Sequence, residues 1–353
     1  MKLQRYARLI FLVAFIVAIS CSGCSLRPEQ SYDKSGIAMD TTVQLRASGP
    51  EAKAAIEEGF AKIQELDKLA GPSNEGSDVK RINDAAGKSF VSVDPAVYEM
   101  IDYSIRYSEK SQGEWDITIG PATELWGIGT DDQRVPSDEE IKAALAKVNY
   151  KDILLRPEDH SVMLAKPGMI IDLGGIAKGY AADEVRKIYE AHHIENGLIN
   201  LGASSMYAIG KNKEGKAWRI GMKHPRSEKS DTYLGIVSIS NQALSTSGDY
   251  ERFFIQDGKR YHHIFDPRTG RPADAGVMSD SIIIDGSVEH AGMLSDLLTT
   301  ALFVMGPERG LAFANSLDGI ECEITGVDGT IYATPGFKKV LSDVNSDFKI
   351  ADM

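Results

Sequence analysis

Apolar positions recur along this chain at two spacings, and each predicts its own kind of element. Returns every three or four residues predict amphipathic helices over 51–69, 95–111, 137–148, 177–190, 288–304 and 308–314. Shorter apolar or alternating runs predict strands over 41–47, 161–164, 169–173, 234–240 and 281–285. The strands cluster without regular alternation with helices, which favours an α+β class over a doubly wound sheet. No linker, repeat or low-complexity stretch divides residues 37–353, so they read as one large domain with room for two lobes. The charged run from Asp131 to Glu140 reads as a solvated loop entering a helix, with Ser137 as its cap.

The amino terminus follows a different pattern. Lys2, Arg5 and Arg8 precede an unbroken apolar run from Leu9 to Ile19. That is a signal-peptide pattern over residues 1–20, and the run is too short to span a bilayer, which takes about twenty residues. A cysteine follows directly, so Cys21 or Cys24 is the expected lipidation site and residues 21–36 the tether. The expected location is therefore outside the cytoplasm, lipid-anchored to a bacterial membrane and facing the periplasm or extracytoplasmic side. The bland alternative is a soluble exported protein. Cys322 stands far off in an apolar run, so no disulfide framework is implied. A net charge of −12 excludes the basic footprint of nucleic-acid binding and leaves membrane attachment to the lipid.

Chemistry concentrates in three segments. In Ile171-Asp172-Leu173-Gly174-Gly175-Ile176-Ala177-Lys178-Gly179-Tyr180-Ala181-Ala182-Asp183, glycines, a lysine and two carboxylates crowd a strand-to-helix junction. Glycines let the backbone approach a ligand, and the first helical amides offer donors to an anion; taken alone, a tight packing turn explains the same residues. The second segment runs from Thr246, Ser247 and Gly248 to His262, His263 and Ile264. Histidine is the side chain able to take a proton from a hydroxyl near neutral pH, and in an extended strand only one of two adjacent histidines faces a given site. In the third, Asp296 and Thr300 lie one turn apart on a predicted helix, aligning two hard oxygen ligands of the kind magnesium favours. An Asp in an otherwise apolar helix is costly to bury unless paired or bound to a metal.

Together, in this order, these segments resemble the ApbE family of FAD:protein FMN transferases. The matching stretches are Asp172 to Tyr180, Thr246 to Tyr250, His263 to Gly270 and Asp296 to Thr300. Met39 to Thr42, Ser77 to Asn83, and Glu114-Trp115-Asp116 with Gly120-Pro121 and Leu125-Trp126-Gly127 match as well. Departures occur at Gly202-Ala203-Ser204, where a glycine pair followed by Asp or Asn is usual, at Ala70 to Asn74, which lacks an aromatic residue, and at Asp40, where glycine is common.

The resemblance implies a single ApbE-like domain of mixed, mostly antiparallel sheets with packed helices. It implies Mg²⁺-dependent transfer of FMN from FAD to a Thr or Ser hydroxyl of an acceptor protein, leaving a phosphoester-linked flavin and AMP. His263 would be the catalytic base. Ala177, Asp296 and Thr300 would hold the metal. Met39, Glu114, Trp115, Asp116, Gly174, Gly175, Lys178, Asp183, Ser247, Gly248 and Ile264 would hold FAD. The implied partner is a flavin-acceptor protein of a membrane redox complex. An FAD pyrophosphatase giving FMN and AMP, or a non-catalytic flavin-binding lipoprotein, would use many of the same residues.

Overall fold

Nine strands form one sheet whose spatial order is the order of the chain, a meander in which each strand lies beside its predecessor. They are β1 (Ser31–Ala38), β2 (Thr41–Ser48), β3 (Asn196–Leu201), β4 (Ser205–Ile209), β5 (Gln242–Gly248), β6 (Val277–Asp285), β7 (Ile320–Gly326), β8 (Thr330–Ala333) and β9 (Lys349–Ile350). Every neighbouring pair is antiparallel except the last. The computed structural model describes residues 30–229 and 231–352; the signal segment, Cys21, Cys24 and most of the tether lie outside the described residues.

Side-chain alternation along the strands sorts two cores. One face carries Val43, Leu45, Ile199, Leu201, Ile282, Ile284 and Ile324 against the helices α1 (Ala52–Ala70), α2 (Pro95–Lys110), α3 (Ala177–Ala191), α4 (Ala291–Met305) and α5 (Pro307–Asn315). The other face carries Met206, Leu244, Met278, Ile283 and Ile331 against a small sheet formed by Trp218–Lys223, Tyr233–Ile239 and Leu341–Ser342. Strand β6 is covered on both sides, so eight of its nine residues are buried, the polar Ser279, Asp280 and Ser281 among them, and no exposed polar face alternates with the apolar one.

All six predicted helices form, and Ser137 caps its helix in a full capping box with Glu140. The predicted strand at 169–173 does not form: Ile170 makes a single bridge to Ile119. Its backbone neighbour is the loop at 117–119, whose Ile117 carbonyl accepts from the Asp172 N–H at 2.8 Å, too short a pairing to make a strand. The Asn83 amide group serves Ile171 instead, accepting from its N–H at 2.8 Å and donating to its carbonyl at 3.1 Å. The short helices Asp78–Asp84, Gly120–Trp126 and Pro335–Val340 are additional.

Two close approaches position the site. Helices α3 and α4 cross at Gly179 and Gly292; a Cβ on Gly179 would lie 2.2 Å from the Gly292 carbonyl oxygen, so this contact exists only without side chains. The β1–β2 hairpin turns at Met39 and Asp40, both with positive φ (52° and 55°). Such a turn favours Gly, Asn or Asp, which accounts physically for Asp40. An unbranched apolar residue at the first turn position is uncommon and strained.

Candidate functional site

The glycine turn entering α3 is shaped from within. Asp172 Oδ1 accepts from the Gly174 N–H at 2.7 Å, closing a local turn that exposes Gly174. Helix α3 then begins at Ala177 with no side-chain cap. Its first donors are not all free, as the sequence suggested. The Ala177 amide bonds to the Leu173 carbonyl, and the Gly179 amide donates to Asp296 Oδ2 at 3.0 Å. The amides of Gly175 and Lys178 have no hydrogen-bond partner among the described residues.

Asp296 is buried on α4 at the helix crossing. Its Oδ1 accepts from the Ser205 hydroxyl at 2.8 Å, its Oδ2 from Gly179, and the Lys178 Nζ stands 3.9 Å away. One α3 residue and one strand hydroxyl therefore fix the carboxylate, while each oxygen keeps lone-pair capacity. Thr300, one turn on, is half-buried, and a Cβ placed on Gly175 would come within 3.4 Å of its hydroxyl. The same Cβ would lie 2.9 Å from the Trp115 ring, so Gly175 leaves a cradle between Thr300 and Trp115. Lys178 Nζ donates to the Gly174 carbonyl at 2.8 Å and so stays over the turn.

His263 follows directly on a two-stranded ribbon, Phe253–Gln256 with Lys259–His262. Its amide bonds to the Arg252 carbonyl at 3.1 Å, while its buried Nδ1 has no partner among the described residues. Burial above all, then the charges of Arg252, His262 and Lys178, push its pKa down to about 3, so the ring is neutral at physiological pH. His262 points elsewhere: it is buried, bonds the Ala273 carbonyl at 3.0 Å and packs edge-on against Phe303. The two adjacent histidines therefore have different surroundings, His262 bonded to the backbone and His263 with its Nδ1 unpaired among the described residues.

Other nominated residues support the site. Ser247 Oγ lies 2.9 Å from the hydroxyl of Thr299, tying β5 to α4 beside Thr300. Gly248 admits the Tyr250 ring, 2.3 Å from where a Cβ would stand, and Ile264 is buried. Glu114 is buried with Oε1 shared by Arg268 and Arg309, and its Oε2 has no partner among the described residues.

The side chains of Asp116 and Asp183, expected to contact FAD, accept hydrogen bonds within the protein. Both Asp183 oxygens accept 2.8 Å bonds from the Gly292 and Met293 amides, capping α4, and burial raises its pKa to about 6. Asp116 accepts from the backbone and hydroxyl of Thr118 and from the Tyr150 amide. These carboxylates hold the elements that carry the site. Met39 packs against the main core at its strained turn. Ser205 is the residue that sequence reasoning passed over, standing just after the Gly202-Ala203-Ser204 departure, a signal read there only as a departure, while Asn83 was named only as the end of a matching stretch with no role given to it.

Among the described residues, no three His, Cys, Asp or Glu side chains gather as a metal site. A cation here would rest on one carboxylate, a hydroxyl and a carbonyl, completed by ligand and water oxygens, which is the magnesium style. A glycine turn with open amides, a lysine, an oxygen-rich helix face and a neutral histidine can receive a pyrophosphate and take a proton beside it.

This arrangement defines an α+β protein whose site lies where two helices cross at a glycine turn. The sequence profile of the ApbE family matches residues 39–324. The FAD:protein FMN transferase of Treponema pallidum (strain Nichols) is 32% identical over 349 residues, covering 94% of each chain. That of Klebsiella pneumoniae (strain 342) is 33% identical over 321 residues, covering 91% of this chain and 97% of the relative. The solved flavin transferase ApbE from Vibrio cholerae superposes with a TM-score of 0.78 at 29% identity, covering 89% of this chain and all of that one. This chain belongs to the ApbE family.

Proposed function

We propose that this protein transfers FMN from FAD to a Thr or Ser hydroxyl of an acceptor protein. The observation that carries the reading is the convergence of Asp296, Thr300, Lys178 and the Gly174-Gly175 turn at one helix crossing, with the neutral, unpartnered Nδ1 of His263. The relatives named as FAD:protein FMN transferases, which match nearly the whole chain, support it.

The acceptor hydroxyl oxygen bonds to the phosphorus of the FMN half, the bond from that phosphorus to the bridging oxygen breaks, and AMP leaves with that oxygen. The hydroxyl proton passes to His263. Lys178 and the open amides of Gly175 and Lys178 hold the pyrophosphate, and Trp115 packs beside the turn. Asp296, Thr300 and the Ala177 carbonyl would hold Mg²⁺, which supplies neutralisation of phosphate charge. Phosphoryl transfer asks mainly for alignment and charge stabilisation, and these fixed groups provide both. His263 is a weak base in the free protein, but bound pyrophosphate would raise its pKa toward neutrality.

The protein would work outside the cytoplasm, tethered by a lipid on Cys21 or Cys24, serving a membrane redox complex. The amino-terminal pattern supports this. Incubating the mature protein with FAD, Mg²⁺ and a flavin-acceptor domain, then weighing the acceptor, tests the reading. An FMN-phosphoryl mass gain supports it; FMN and AMP without an adduct would point to the pyrophosphatase, and unchanged FAD to a binding protein.

A further inference from the structure

The ribbon that ends at His263 has one open edge. Phe253–Gln256 and Lys259–His262 pair only with each other, through a turn at Asp257 and Gly258, both with positive φ. In a hairpin closed by two residues, Gln256 and Lys259 exchange hydrogen bonds, and the pattern then alternates. Phe254 pairs inward with Tyr261, and Arg252 with His263, as the observed bond from the His263 amide to the Arg252 carbonyl confirms. Phe253 and Ile255 therefore turn both N–H and C=O outward. No hydrogen bond among the described residues reaches those groups.

The side chains reinforce this. Phe254 stacks on Tyr261, which leans on Trp126, so that face of the ribbon is anchored to the body. Phe253 and Ile255 point to the other face and are 36% and 61% exposed. Natural proteins blunt exposed edges with charge, proline or bulges, and this strand, Phe-Phe-Ile-Gln, has none of these. Cations frame it: Arg260 lies over the Phe253 ring, and exposed Arg252 has no carboxylate partner among the described residues. They stand on a chain whose net charge is −12.

We propose that this edge is the docking strand for the acceptor protein. An extended acceptor segment adds to Phe253–Gln256 as a third strand, places alternate apolar side chains on Phe253 and Ile255, and sets an acidic residue against Arg252. It thereby carries its hydroxyl along the ribbon to His263. Main-chain pairing gives affinity in such recognition, and side-chain pockets give selectivity. The edge leads into the reacting histidine within the same ribbon, which favours the acceptor over a second copy of this chain. The inference rests on the transfer reading above.

The test uses Ile255→Pro, which removes the outward N–H and no bond within the ribbon, and Ile255→Lys as a second variant. With the flavin-acceptor domain as probe, the KM for acceptor should rise about tenfold or more in both variants. Binding of FAD and thermal stability should stay near wild type. Hydrogen exchange of the 251–257 segment in the wild-type protein should slow when the acceptor is added. An unchanged KM in both folded variants, or exchange unaltered by acceptor, overturns the docking strand while leaving transfer intact. Variants that change only sedimentation would show a self-association edge and overturn it too. Failure of the wild type to modify the acceptor removes the transfer reading and this one with it.

Discussion

Asp296 receives one amide, one hydroxyl and a nearby ammonium, so its carboxylate is fixed before any ligand arrives. Replacing it with Ala should lower the rate of FMN transfer by roughly 10²–10³, the scale of removing a fixed charge-stabilising group, with FAD affinity much less affected. Single-turnover kinetics on the folded variant check this; near wild-type turnover would contradict the role.

Asp280 is a different case. It is fully buried on β6, neither oxygen has a well-aligned hydrogen-bond partner among the described residues, and burial followed by the charge of Glu323 drives its pKa well above the ordinary value against weaker help from the Ser247 backbone. Burial likewise raises Glu323 to about 7. A carboxyl whose folded pKa is raised binds more protons folded than unfolded, so its presence lowers stability as pH rises above the unfolded pKa near 4. For Glu323 that window runs from its ordinary value of 4.5 to about 7. Asp280→Val should stabilise the protein by about 1–3 kcal/mol at neutral pH and flatten the decline above pH 4. Denaturant melts at pH 5 and pH 8 would show it; a less stable variant at pH 8 would mean that Asp280 has a partner. His263 runs the opposite way. Its folded pKa is lowered, so it costs stability as pH falls from about 6.5 toward 3.

At the scale of elements, the site depends on how closely α3 and α4 approach. Gly179→Ala would drive a Cβ into the Gly292 carbonyl and the Asp296 side chain, so the helices must part. A loss of about 2–4 kcal/mol and of most activity is expected, readable in the melting midpoint together with turnover. Asp183→Asn should cost about 1–2 kcal/mol, because an amide replaces one of two anionic acceptors on α4. Normal stability would deny that cap its role.

The long helices were legible because their apolar spacing is strong, and Ser137 because its cap chemistry is local. The segment 169–173 was misread because its apolar residues signal burial, and burial alone does not supply a neighbouring strand. Asn83 completes it from 88 positions away, and no local pattern in the sequence shows such a bond.

For the whole molecule, the meander brings β5, α3 and α4 together, joining residues 52 and 117 positions apart in sequence. The segments that meet at the helix crossing were visible in the sequence, because glycine pairs, adjacent histidines and a carboxylate on an apolar helix stand out locally. Two of the nominated carboxylates are engaged within the protein itself. Asp116 and Asp183 carry side chains that brace loops and helices, and spacing alone cannot separate bracing from contact. Ser205 was missed because its partner Asp296 lies 91 residues on.

The most direct measurement is the mass of a flavin-acceptor domain after incubation with this protein, FAD and Mg²⁺, alongside EDTA and Asp296→Ala controls. A gain equal to one FMN phosphoryl group, absent from both controls, is the expected result. An acceptor of unchanged mass beside intact FAD, with the protein folded, would contradict the account.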